Sequence, residues 1–93
     1  MFTWLNKQGV KSNKGFIVQR TGRFTAEYQE GSRKISIDLE NGVLADGKFC
    51  EIIDADAFSK WDDGVSISLS KQKEILQNFK EAMEFQGIGI IVD

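Results

Sequence analysis

The chain has 93 residues, a net charge of −2, one cysteine, and neither histidine nor proline. That length makes a single domain, with no room for a second. The missing histidines exclude imidazole acid–base, nucleophilic and metal-ligating chemistry, and the single cysteine excludes both an internal disulfide and a four-thiolate zinc site.

Met1–Lys7 lacks the basic start and long apolar stretch of a secretory signal. No apolar run approaches the ~20 residues of a membrane span, so a cytoplasmic protein without membrane contact is expected. Residues 6–15 are polar with two glycines and read as loop. Gly15–Arg20 reads as a first strand and Thr21-Gly22 as a turn. Phe24, Ala26 and Tyr28 then alternate with charged and polar residues, Glu30-Gly31-Ser32 breaks the pattern, and Ile35, Ile37 and Leu39 resume it. This predicts a β-hairpin with one apolar and one polar face. Asn41-Gly42 and Asp46-Gly47 are both hairpin-turn signals, so the register of Val43-Leu44-Ala45 stays open between them. Lys48–Asp54 reads as a strand, in which Cys50 is expected to be a small buried hydrophobe. Residues 54–66 form an acidic loop with one helical turn around Ala57-Phe58-Ser59. A long helix follows, about 69–86, capped by Ser68 or Ser70 and stopped by Gly87. Its apolar stripe holds Leu69, Gln72, Ile75, Leu76, Phe79, Ala82, Met83 and Gln86. Ile88–Val92 is a short last strand. The fold class is therefore α+β: an antiparallel β-meander of about five strands with one amphipathic helix on one face.

The near-neutral total hides an asymmetry. Residues 1–34 hold seven bases and two acids, a net +5; residues 35–93 hold five bases and twelve acids, a net −7. Within 38–63 eight acids face only Lys48 and Lys60. Such a field serves either solubility or the docking of a basic partner. Trp61, flanked by Asp62 and Asp63, is either an interface anchor or a plug at the end of the core. Asp54 and Asp56 have the Asp-x-Asp spacing of a calcium loop, but Phe58 and Ser59 stand where that loop needs an oxygen donor and a glycine. Asp46-Gly47-Lys48 falls on a turn, and Gly87-Ile88-Gly89 follows a helix instead of opening one, so neither makes a nuclease or phosphate site. No metal and no cofactor is expected. Lys11, Lys14, Arg20, Arg23 and Arg33, with Phe16, Phe24 and Tyr28, could in principle bind single-stranded nucleic acid, but these aromatics pattern as core. Lys71 and Lys73 in the first helical turn, and Glu81 and Glu84 near the last, oppose the helix dipole at about 0.3–1 kcal/mol each. Either solvent screens them or a partner requires those charges there.

Four stretches taken together carry a resemblance: Gly9-Val10 with Gly15-Phe16, the hairpin Tyr28–Glu40, Trp61-Asp62-Asp63-Gly64, and Ile67-Ser68 leading to Ile75, Asn78, Ala82 and Gly87. Over roughly residues 9–90 the chain resembles small immunity proteins of bacterial polymorphic-toxin and contact-dependent-inhibition systems, of the Immunity-protein-74-like kind. The resemblance implies a non-catalytic cytosolic antitoxin that binds a cognate toxin domain, often a nuclease. The acidic region makes Asp38, Glu40, Asp54, Asp56, Trp61, Asp62 and Asp63 the candidate partner-binding residues. The alternatives are a single-stranded nucleic-acid binder and a protein-interaction module without catalysis. With little proline or bulge protection, a sheet edge also allows a homodimer.

Overall fold

The computed structural model describes residues 1–92. Eight strands and one helix follow in the order β1 (Phe2–Asn6), β2 (Gly9–Ser12), β3 (Phe16–Gly22), β4 (Thr25–Glu30), β5 (Arg33–Asp38), β6 (Glu40–Val43), β7 (Phe49–Ile53), α1 (Leu69–Phe85) and β8 (Gly89–Val92). The expected α+β class, five-stranded antiparallel sheet, single long helix and C-terminal strand are present. The five-stranded sheet is the continuous meander β1-β2-β3-β4-β5. A second sheet, β6-β7-β8, pairs β6 and β7 antiparallel and β7 and β8 parallel. The parallel pair requires a crossover, and α1 supplies it.

Residues 6–15, expected as loop, instead contribute the end of β1 and all of β2. Only Val10 in β2 announces burial, and it packs opposite Val18 of β3. Gly9 is there for space: a Cβ would stand 2.7 Å from that of Gln19. The first turn also moves. Thr21 and Gly22 belong to β3, and Arg23-Phe24 makes the connection to β4. Phe24 therefore lies outside the core, half-exposed with the Arg23 guanidinium over its ring.

The ambiguity around the two glycine turns resolves in favour of Asp46-Gly47. Gly47 has φ +85°, its N–H donates to the Leu44 carbonyl, and Asp46 Oδ1 accepts from the Lys48 N–H. Asn41-Gly42 lies inside β6, opposite Glu51 and Cys50. Gly42 is needed for close approach, since a Cβ would meet Ile52 Cδ1 at 2.8 Å.

The core lies between α1 and one face of the meander. Val10, Phe16, Val18, Ala26, Tyr28, Ile35 and Ile37 from the strands meet Ile75, Phe79, Ala82 and Met83 from the helix. Ser68 caps α1 by accepting the Lys71 N–H at 3.3 Å, and Gly87, at φ +84°, ends it. Two helix positions depart from the apolar stripe. Leu69 is exposed in the first turn, and Asn78 is buried because its amide donates to the Tyr28 hydroxyl at 3.2 Å. Lys71, which opposes the helix dipole, has partners inside the molecule: its ammonium pairs with Glu30 at 2.7 Å and with Glu74 one turn along. Cys50 is buried. No helix among the described residues is long and apolar enough to cross a membrane.

Candidate functional site

Leu39 separates β5 from β6. Its side chain is buried, and its N–H donates to the Phe24 carbonyl at 2.8 Å. Alternation along an extended chain then turns its neighbours Asp38 and Glu40 outward. Where β7 ends, the chain returns to this point, and Asp54 joins the two. Asp38, Glu40 and Asp54 line one shallow groove of about 230 Å³ floored by Ile52 and Ile53. All three are exposed, and among the described residues none has an ion-pair partner. Asp54 Oδ1 accepts the Asp56 N–H at 2.9 Å, which holds Asp56, also exposed, at the start of the following turn. That turn swings Phe58 into the core, its ring 5.6 Å from that of Phe79.

The remaining sequence candidates lie in a second tight loop. Trp61 is only 9% exposed and belongs to the core, so of the two positions open to it the structure shows the plug. Gly64, at φ +89°, returns its N–H to the Trp61 carbonyl, and Asp63 Oδ1 accepts the Val65 N–H. Asp62 turns to the sheet. Its Oδ1 accepts the Ser36 N–H at 2.9 Å, its Oδ2 accepts the Ser36 hydroxyl at 2.8 Å, and its own N–H donates to the Lys34 carbonyl. Asp63 sits 3.7 Å from Arg33. The seven candidates thus divide. Asp38, Glu40 and Asp54 line one groove, and Asp56 follows in the turn bonded to Asp54. Asp62 and Asp63 fasten a loop to β5, and Trp61 is internal.

Two polar clusters were invisible in the sequence. Arg20 of β3 reaches Glu51 of β7 at 2.9 Å and thereby joins the two sheets. Glu51 is 5% exposed, and its second oxygen is buried with no hydrogen-bond partner. Only the acidic position Glu51 in an otherwise apolar strand hinted at it. The other cluster links sheet and helix: the Tyr28 hydroxyl donates to Glu30 at 2.6 Å, and Lys71 holds the other Glu30 oxygen. Burial and the Glu30 carboxylate push the Tyr28 hydroxyl far above its ordinary range. Burial would raise Glu30, but the hydrogen bonds from Lys71 and Tyr28 outweigh it and hold its pKa below the usual value. The same bond to Glu30, with that to Glu74, raises Lys71.

Of the basic residues considered for nucleic acid, Arg20 and Arg33 are engaged in ion pairs, and Phe16 and Tyr28 stack on each other in the core at 5.5 Å. Among the described residues no three cysteine, aspartate or glutamate side chains converge to hold a metal ion. Comparisons with protein-family models, curated proteins and solved structures gave no match.

Proposed function

We propose that this chain is an immunity protein: a non-catalytic cytosolic inhibitor that binds a cognate bacterial toxin domain through its acidic surface. The carrying observation is the groove in which Asp38, Glu40 and Asp54 meet with no internal cation to neutralise them. Carboxylates left unpaired this way sacrifice some stability to mutual repulsion and gain a directional field. A nuclease toxin must hold phosphate and so presents cations around its active site. An acidic inhibitor associates quickly with such a surface and occupies the place of the substrate's charge. The interface is centred on Asp38, Glu40, Asp54 and Asp56. Asp62 and Asp63 contribute by shaping the adjoining loop, and Trp61 by anchoring it in the core.

The first test is whether a toxin domain is encoded beside this gene, its absence counting against the proposal, and the second is co-expression with that domain. The wild-type chain restores growth and co-purifies with the toxin. The triple variant Asp38→Lys, Glu40→Lys, Asp54→Lys, folded by circular dichroism, does neither. Failure of the wild-type chain to protect or bind overturns the function, and full protection by the triple variant overturns the interface.

A further inference from the structure

Where the meander meets α1, a cavity of about 310 Å³ is lined by Lys14, Phe16, Glu30, Lys71, Glu74 and Asn78. It shares no residue with the acidic groove. Phe16 and Glu30 are opposite each other across β3 and β4, and Lys71, Glu74 and Asn78 follow one face of the helix at spacings of three and four. The walls are fixed from behind. Buried Ser12 pins the turn that carries Lys14: its hydroxyl accepts the Lys14 N–H at 3.0 Å, and its carbonyl accepts the Gly15 N–H at 3.1 Å. The Tyr28 hydroxyl gives its one hydrogen to Glu30, so it meets Asn78 as an acceptor, and the Asn78 amide must turn its nitrogen toward Tyr28. Asn78 is 9% exposed, yet its carbonyl oxygen accepts no hydrogen bond among the described residues and is not sealed from solvent. Such an oxygen, on a buried side chain lining a cavity, is an acceptor that a ligand's donor can satisfy. The charges are fixed too. Tyr28 stays a hydroxyl, Glu30 a carboxylate and Lys71 an ammonium across the neutral range, which suits binding and not proton transfer.

We propose that this cavity binds a free α-amino acid, with Lys14 and Lys71 receiving its carboxylate and Glu74 and the Asn78 carbonyl oxygen receiving its ammonium. The lining charges cancel, Lys14 and Lys71 against Glu30 and Glu74. A simple anion would face two carboxylates and a simple cation two ammoniums, whereas a zwitterion finds both signs answered. The groups assigned to it have capacity left. Lys14 has no ion-pair partner among the described residues, and Lys71 keeps a third ammonium hydrogen beyond those given to Glu30 and Glu74. Glu74, its side chain 57% exposed, uses one oxygen on Lys71 and keeps the other. The volume lies at the small end of ligand pockets, which matches a molecule of this size. This site does not depend on the toxin-binding reading.

Free L-amino acids, titrated one at a time to about 10 mM, test it by NMR at the Asn78 side-chain amide and the Lys14 and Gly15 backbone amides. At least one should bind saturably. The same compound without its ammonium, or without its carboxylate, should bind at least about tenfold more weakly, since each loss removes a charged hydrogen bond. Lys14→Ala and Glu74→Gln, both at exposed positions, should each weaken binding by a similar factor. Lys11→Ala, an exposed base outside the cavity, should leave it unchanged. No saturable binding by any amino acid, equal binding of either one-charge analogue, binding that survives both cavity variants, or its loss in Lys11→Ala overturns the proposal.

Discussion

Arg20 and Glu51 couple the two sheets through a single contact, and only the arginine keeps a foothold in water. Removing the guanidinium leaves a buried carboxylate with neither of its oxygens paired. Arg20→Ala should therefore lower unfolding stability by about 3 kcal/mol or more, while the paired replacement Arg20→Met with Glu51→Met should recover most of it. Urea denaturation of the three proteins checks this, and equal losses in the single and double variants would contradict it. Glu30 and Lys71 set the pH dependence. Because the folded Glu30 pKa lies below its ordinary 4.5, its contribution is present above that pH and is lost as pH falls through the folded value. Lys71 is raised above its ordinary 10.5, so its share is complete below that pH and is lost only as pH rises through the folded value. In Lys71→Gln the carboxylate keeps its burial and loses its main compensation. The wild-type decline in denaturation midpoint below about pH 4.5 should flatten or reverse in that variant.

Loops and strand ends show which elements were legible. The hairpin of β4 and β5 is spelled out by alternation, and α1 by its stripe, its Ser68 cap and its Gly87 stop. Gly42 and Gly47 were not distinguishable, because both satisfy a turn pattern. What separates them is the space beside Gly42, which depends on where Ile52 and Cys50 lie across the ladder. The two glycines should fail differently. Gly42→Ala should cost about 1–3 kcal/mol through overpacking, whereas Gly47→Ala costs about 1 kcal/mol through its positive φ. Strand β2 is not legible in the sequence because its neighbours, not its own composition, make it a strand. Asp62 looked like one acid among many and instead closes the β5 edge. Asp62→Ala should lose about 1.5–3 kcal/mol from its charge-assisted bonds to Ser36 and make the protein more prone to self-association. Thermal melts with light scattering would register both effects, and an unchanged Tm with no added scattering would argue against the cap.

Across the whole molecule the +5/−7 division is bridged at a few points by ion pairs. Arg20 pairs with Glu51, Arg33 with Asp63, and Glu30 with Lys71, so three ion pairs join the basic and acidic parts of the sequence in space. Among the acids without an ion-pair partner, Asp38, Glu40 and Asp54 line a single groove. The excess of acids within 38–63 is legible in the sequence. That Trp61 is packed in the core, and that Asp62 and Asp63 contact β5, depends on the fold and is not legible in the sequence. The most direct measurement of the proposed toxin binding is the association rate with a candidate toxin domain, one found encoded next to this gene, followed by stopped flow across ionic strength. The wild-type rate should fall steeply with salt, and the triple lysine variant should associate at least about tenfold more slowly with little salt dependence. Binding that is indifferent to both salt and charge reversal, or no binding at all, would contradict it.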